Sequence, residues 1–221
     1  MEKRAHSHAG VDWTLWGTLA LLAFGYVLLH DLMGGTLFAH SNWDSYTLQA
    51  LAWREGRLGL GQDYSYLELA VYNGDWYVSF PPVPTLAMLP LTFLFGAQTP
   101  NNLVVMGYAL GSVAVVYRCL RHFSVRPLYC AFWSVFAVMG SNLLWMSTNG
   151  GVWFQAQALN FLLCAGAVLC ALKGRRAGCL LLLALAVGCR PFSACYFPVF
   201  ATLFFLEDRQ KHPQESVWRA A

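Results

Sequence analysis

The sequence predicts an all-α, polytopic membrane protein with about five or six transmembrane helices. Of its 221 residues, 57% are hydrophobic and only 11% are charged, whereas about 25% are charged in a soluble domain. The apolar residues lie in long runs separated by short polar segments. This composition excludes a soluble enzyme and a disordered regulator, and a net charge of +3 leaves no basic face for nucleic acid. We expect one transmembrane domain over residues 1–221.

The first predicted element is a transmembrane helix over the apolar run 13–29. No small-residue cleavage site follows this run, so we interpret it as a retained helix rather than a signal peptide. Lys3 and Arg4 precede it. Basic residues beside a helix favour the cytoplasm, which predicts a cytoplasmic N-terminus and an external segment after the helix.

The first outer loop, about 34–100, is the most polar part of the chain and contains a predicted amphipathic helix. Asp44 and Ser45 stand at its start, and good helix formers follow. The pattern of Leu48, Leu51 and Ala52 predicts the apolar face of this helix, and glycines at 56 and 59 predict its end.

The apolar run 83–97 closes the loop and is predicted to lie at the membrane surface. It has 15 residues and contains Pro84 and Pro90, whereas a crossing needs about 20. If it crossed, the next basic cluster would lie outside, against the positive-inside rule. We therefore expect an interfacial or re-entrant helix, entered through the consecutive prolines Pro81 and Pro82, which favour a helix N-terminus.

The runs 103–117, 128–146 and 152–172 are predicted transmembrane helices joined by short turns. This arrangement brings both basic clusters to the cytoplasmic side; they are Arg118, Arg121 and Arg126, and Lys173, Arg175 and Arg176. The last run, 179–206, is interrupted at Arg190. It fits one long kinked helix or two short helices meeting at that residue.

No sequence pattern predicts a metal or organic cofactor. The seven cysteines all lie from Cys119 onward, in or beside apolar runs, which favours packing over disulfides or metal binding. There is no zinc-ligand spacing, glycine-rich phosphate loop or nucleophile elbow.

Asp44 is the first candidate functional residue, and two roles suit it. It could cap the amphipathic helix by accepting backbone N–H bonds. It could also be a general base held at the membrane surface, where a helix start is expected to lower its pKa and keep it ionised. The two roles are compatible.

Arg190 is the second candidate, because an arginine inside an apolar run costs about 2.5–3.5 kcal/mol on insertion scales. It could extend to the interface or pair with a backbone carbonyl. Alternatively, its guanidinium could bind a lipid phosphate through two hydrogen bonds.

The order of several short motifs resembles the GT-C-type membrane glycosyltransferases, which include protein O-mannosyltransferases and lipid A aminoarabinose transferases. In that family one N-terminal helix precedes an outer loop that begins with an acidic motif. A Tyr, Ala and Gly pattern, a Pro-Pro pair, an apolar helix ending in Phe-Gly, and a Gly-rich helix ending in Arg-Pro follow. The corresponding residues here are Asp44, Tyr46, Ala50 or Ala52, Gly56, Pro81, Pro82, Phe95, Gly96, Gly178, Arg190 and Pro191.

This resemblance implies transfer of a sugar from a polyprenyl phosphate to an acceptor glycan, lipid or protein at the outer face of the membrane. It implies Asp44 as the base, with Arg190, Tyr46, Pro81 and Pro82 binding substrate. A single base suffices because a polyprenyl phosphate leaves without the protonation that glycoside hydrolysis requires. A bacterial plasma membrane is the expected location.

The sequence also departs from the family pattern. Ser45 stands where many relatives carry a second acid, and Asn149, Gln155 and Gln157 occupy the second outer loop where many carry another. Metal dependence is therefore left open. Two other functions remain: a non-catalytic membrane scaffold of the same architecture, and a small transporter or flippase subunit. The length corresponds to the N-terminal half of the family's fold.

Overall fold

The structure is a computed structural model that describes residues 11–211. The chain is mostly helical, with 69% helix and 4% strand. Lys3 and Arg4, on which the predicted orientation depends, lie outside the described residues. The helices are α1 Trp13–Leu32, α2 Ser45–Arg54, α3 Val83–Phe95, α4 Asn101–His122, α5 Pro127–Met139, α6 Leu143–Met146, α7 Val152–Leu172, α8 Arg176–Val187 and α9 Phe197–Lys211.

Three of the described helices, α1, α4 and α7, are long and apolar enough to cross a membrane. They have 20, 22 and 21 residues, about 30 Å or more at 1.5 Å per residue, which matches the hydrocarbon thickness. The predicted helices at 13–29, 103–117 and 152–172 are confirmed, and the last has both bounds correct.

Two other predicted apolar runs are interrupted in the structure. The run 128–146 divides into α5 and α6 because α5 ends at Met139, and the three residues 140–142 are not helical. The run 179–206 divides into α8 and α9, with a 3₁₀ turn at Pro191–Tyr196 between them. The structure therefore favours two short helices over one kinked helix for this last run.

The outer segment contains a strand pair that an all-α prediction omits. Strands β1 Leu69–Tyr72 and β2 Asp75–Val78 pair antiparallel, with Tyr72 opposite Asp75. The turn residues Asn73 and Gly74 both have positive φ, +49° and +78°, as a type I′ hairpin turn requires. The Asn-Gly pair was thus a local hairpin signal in the sequence.

Helices α2 and α3 pack together in the outer segment, and α3 begins after Pro82, as the sequence predicts. The predicted apolar face of α2 is buried only in part, because Ala52 is buried but Leu48 and Leu51 are only half-buried. The fully buried stripe contains Tyr46 and Ala50 with the polar Gln49. Gln49 can be buried on this face because its Oε1 accepts a hydrogen bond of 2.5 Å from the Thr85 hydroxyl of α3.

Two apolar clusters hold the long helices together. One is centred on Tyr26, Ala109 and Val138, which join α1, α4 and α5. The other joins α7, α8 and α9 through residues such as Ala167, Leu183 and Phe200. Burying a large apolar side chain contributes about 1.5–3 kcal/mol in a water-soluble core; within lipid, close packing takes over this role.

The hydrogen bonds define two opposite ends of this helix bundle. The starts of α4 and α7 lie together with Asp44: Asn101 donates to the Asp44 carboxylate at 3.0 Å, and Val152 N donates to the Trp43 carbonyl at 2.9 Å. We call this the Asp44 end. The opposite or arginine end carries both predicted basic clusters, because Arg121 and Lys173 lie where α4 and α7 end.

Candidate functional site

Asp44 is the N-cap of α2 and is only 1% exposed. Its Oδ1 accepts hydrogen bonds from the backbone N–H groups of Tyr46 and Thr47, at 3.0 and 3.3 Å. Its Oδ2 accepts from the Thr47 hydroxyl at 2.5 Å and from the Asn101 amide at 3.0 Å. The predicted capping role is therefore confirmed.

These four bonds use all of the acceptor positions that a carboxylate offers. Burial in the protein raises the pKa of Asp44 above its usual value, although the hydrogen bonds from Thr47 and Asn101 oppose the shift. The expectation that the helix start would lower this pKa is wrong, because the loss of hydration outweighs the bonds of the cap. A raised pKa makes Asp44 a stronger proton acceptor.

Tyr46 follows on the inner face of α2 and is fully buried. Its hydroxyl has no hydrogen-bond partner among the described residues. Burial raises the pKa of this phenol; the charge of Arg190 opposes that shift and the charge of Asp44 adds to it. Tyr46 therefore lies within electrostatic range of both predicted site residues.

Arg190 reaches the Asp44 end because α8 stops two residues earlier, at Gly188. A Cβ on Gly188 would collide with the Val83 side chain, and the Gly188 carbonyl accepts a 3.1 Å bond from Val83 N at the start of α3. The chain is then extended at Arg190, with φ −144° and ψ 110°. This close approach fixes the direction in which the arginine leaves the helix.

The Arg190 guanidinium lies against Trp153, near the start of α7. Its Nη2 donates to the Trp153 carbonyl at 2.9 Å, and its Cζ is 5.0 Å from the centre of the Trp153 ring. Its Nε is buried without a partner. The pairing with a carbonyl, one of the two roles considered for Arg190, is thus present, and a donor remains free.

Arg190 lines a groove of about 790 Å³, which we call the Arg190 groove. One wall is the start of α7, with Gln157 and Asn160, and the other is the 3₁₀ turn and the start of α9. The lining mixes amide and hydroxyl groups with aromatic and apolar residues. Such a groove suits an amphiphile that has a polar head and an apolar tail.

Several buried polar atoms in this part of the bundle have no hydrogen-bond partner among the described residues. They include Tyr46 Oη, Tyr108 Oη, Gln155 Oε1 and Arg190 Nε. Buried polar atoms are nearly always paired in proteins, so a group of unpaired ones indicates a place for bound water or a ligand. The polar cluster is therefore a candidate ligand-binding region.

The structure brings the predicted residues to one end but not to one cavity. Tyr46 is electrostatically coupled to both Asp44 and Arg190, yet Asp44 is not part of the Arg190 groove lining. Pro81 and Pro82 also lie outside that lining. The preceding residue, Phe80, is closer to Arg190, because its ring meets the Trp153 ring edge-on with 5.0 Å between centroids.

Sequence reasoning missed the residues that hold the candidates in position. Asn101 donates to the Asp44 carboxylate, and the Trp153 carbonyl accepts from Arg190. Gln155 donates to the Gly150 carbonyl at 2.6 Å. Asn101 and Gln155 are polar residues at the beginning of apolar helices, which was an available signal. Trp153 had no such signal, because interfacial tryptophans are common.

Among residues 11–211, no group of three or more His, Cys, Asp or Glu side chains is arranged to hold a metal ion. All seven cysteines are free thiols. No protein-family model, curated protein or solved structure matches the chain.

Proposed function

We propose that the chain is a membrane glycosyltransferase, or part of one, that transfers a sugar from a polyprenyl phosphate to an acceptor at the outer face of the membrane. One observation carries the proposal: at the Asp44 end, Arg190 lines an amphiphilic groove of about 790 Å³, and its buried Nε has no hydrogen-bond partner among the described residues. A guanidinium suits a phosphate monoester or diester because its planar donors match two phosphate oxygens.

The proposal includes a topology of five or six crossings. Helices α1, α4 and α7 have the length for it, and α5 with α6 spans 127–146, about 30 Å if nearly continuous. Helix α8 has 12 residues, about 18 Å, so α8 and α9 count as one crossing or two. The arginine end is assigned to the cytoplasm by the positive-inside rule, which gives a cytoplasmic N-terminus in a bacterial plasma membrane.

In the proposed reaction, the acceptor hydroxyl oxygen bonds to the anomeric carbon while the carbon–oxygen bond to the phosphate breaks. The polyprenyl phosphate leaves with the electron pair, and Arg190 stabilises its negative charge. The acceptor proton passes to a carboxylate, for which Asp44 is the sequence-predicted candidate. For this role the Thr47 hydroxyl must rotate away and free one lone pair on Oδ2, which a hydroxyl rotor is able to do.

A non-catalytic scaffold of the same architecture is the second candidate function. The observation in its favour is that four donors already occupy the Asp44 carboxylate. In a scaffold, Asp44 would serve only as a helix cap.

The test is sugar transfer from polyprenyl-phosphate donors in membranes that contain the full chain. We expect transfer by wild type, loss of more than about a hundredfold for Asp44→Asn, and a loss of about tenfold or more for Arg190→Ala. Asp63→Asn and Arg57→Ala, which alter exposed charges of the outer segment, are matched controls and should retain activity. Undiminished transfer by Asp44→Asn would remove Asp44 as the base. No transfer by wild type would favour the scaffold.

A further inference from the structure

A second cavity of about 390 Å³ lies at the Asp44 end, between the loop before β1 and the start of α7. It is separate from the Arg190 groove but shares Trp153 and Phe154 with it. Four aromatic side chains line it, together with Glu68 and Asn149; these are Trp43, Tyr66, Trp153 and Phe154. We call this cavity the aromatic cleft.

The walls of the aromatic cleft are fixed by contacts with the helix bundle. Trp43 is held by its carbonyl, which accepts the 2.9 Å bond from Val152 N. Its ring meets Tyr66 edge-on, with 6.0 Å between centroids and planes at 89°. Asn149 is oriented by accepting a 2.8 Å bond from Gly151 N. The cleft is therefore largely formed in advance of binding, as small-molecule sites usually are.

The charge of the aromatic cleft is unbalanced. Glu68 is its one charged lining residue, and no lysine, arginine or histidine belongs to the lining. Among the described residues no donor contacts the Glu68 carboxylate; its backbone carbonyl accepts from the Ser79 hydroxyl at 2.8 Å. Asp44, by contrast, is saturated with four donors. The free carboxylate and the negative faces of the aromatic rings both attract a cation.

We propose that the aromatic cleft binds an organic ammonium ion, carried by a water-soluble amine or by the headgroup of a zwitterionic lipid. Aromatic rings that surround an ammonium ion attract it by cation–π interaction, and the nearby Glu68 carboxylate adds an opposite charge. Arg190 lies over Trp153 from the neighbouring groove. The ammonium is therefore expected beside Trp43, Tyr66 and Glu68, on the side of the cleft formed by the loop.

The proposal does not depend on glycosyl transfer, and its test measures binding alone. The full chain is reconstituted in nanodiscs of phosphatidylglycerol, and radiolabelled choline and ethanolamine are titrated by equilibrium dialysis. We expect saturable binding of at least one of these amines. The uncharged choline isostere 3,3-dimethyl-1-butanol should compete poorly, because it has the same shape without the charge.

Two cleft variants and two matched controls locate the binding. Glu68→Gln and Trp43→Leu should each weaken binding by about tenfold, because each removes one of the two groups that attract the cation. Trp43 is 60% exposed and Glu68 is also exposed, so neither change disturbs a buried core. Asp63→Asn and Trp145→Leu remove a similar exposed charge and ring outside the cleft and should bind as wild type does.

A lipid arm identifies the source of the ammonium. Nanodiscs with added phosphatidylcholine or phosphatidylethanolamine should lower the apparent amine affinity if the ligand is a lipid headgroup, and should leave it unchanged if the ligand is a soluble amine. Either result supports the site. The proposal is overturned if neither amine binds saturably, if the isostere competes equally, or if both cleft variants bind as wild type does.

Discussion

Two arginines at opposite ends of the helix bundle, Arg176 and Arg190, are held in different ways. At the arginine end, Arg176 lies 2.5 Å from Asp208 and 3.2 Å from Glu207, with its guanidinium over the Phe204 ring. At the Asp44 end, Arg190 donates to a backbone carbonyl, and Asp44 accepts only from uncharged groups. Two carboxylates thus neutralise Arg176, whereas no carboxylate among the described residues contacts Arg190.

The difference is informative because an unneutralised charge near hydrocarbon is costly. An arginine in a transmembrane segment costs about 2.5–3.5 kcal/mol, and within residues 11–211 no carboxylate contacts Arg190 to offset this cost. Such residues usually serve a ligand or an ion. The comparison therefore favours a structural role for Arg176 and supports the proposed ligand-binding role of Arg190.

The largest expected effect on stability comes from removing the carboxylate at the Asp44 end. Asp44→Ala deletes a helix cap, worth about 1 kcal/mol. It also leaves the buried Thr47 hydroxyl without its acceptor, at about 1–3 kcal/mol for such a group, and removes one of the two hydrogen bonds that the Asn101 amide donates. We expect the free energy of unfolding to fall by about 3 kcal/mol, measured in mixed micelles with increasing SDS. Asp63→Ala, an exposed control, should change it little; an equal loss there would contradict the role of the cap.

The pH dependence of stability provides a smaller effect at the same residue. Burial raises the pKa of Asp44 above its usual value of 3.8, so the folded protein holds this proton more tightly than the unfolded chain does. The contribution of Asp44 is therefore greatest below the unfolded pKa, and it declines as the pH rises to the raised folded pKa. The melting temperatures of wild type and Asp44→Asn should be similar at low pH. As the pH rises, the melting temperature of wild type should fall relative to that of Asp44→Asn. A wild type that gains stability relative to Asp44→Asn as the pH rises would contradict this sign.

The smallest effect is expected at the arginine end, although its ion pairs are more numerous. The Arg176 side chain is 38% exposed, and exposed pairs contribute about 0–1 kcal/mol because water screens them. Arg176→Gln should therefore lower the free energy of unfolding by less than about 1 kcal/mol, and less in high salt. The measurement is the same SDS titration at low and high salt. A loss as large as that of Asp44→Ala would reverse the comparison between the ends.

The sequence predicted the long helices and the capping residue because each has a local signal. The bounds of α7 follow from an uninterrupted apolar run, and the role of Asp44 follows from its position before Ser45–Arg54. The Asn73–Gly74 hairpin had an equally local signal. We predicted no strands there, because the composition is typical of an all-α membrane protein.

The inner face of α2 and the polar cluster could not be predicted, because both depend on tertiary contacts. Leu48 and Leu51 favour one face by hydropathy, but the pairing of Gln49 with Thr85 of α3 determines the other. Likewise, Tyr108 of α4 and Gln155 of α7 each have a buried atom without a partner, and this burial is set by the packing of the helices. The sequence also could not show that the Glu68 carboxylate lacks a hydrogen-bond donor, because the fold determines which side chains meet.

The most direct test of the central claim is the binding of a sugar-free polyprenyl phosphate to the full chain in nanodiscs. A guanidinium that binds a phosphate contributes about 1.5–3 kcal/mol, so Arg190→Gln should weaken binding by about tenfold or more. Arg57→Gln, an exposed arginine of the outer segment, should bind as wild type does. Equal affinity of wild type and Arg190→Gln, or no binding by either, would contradict a ligand-binding role for Arg190.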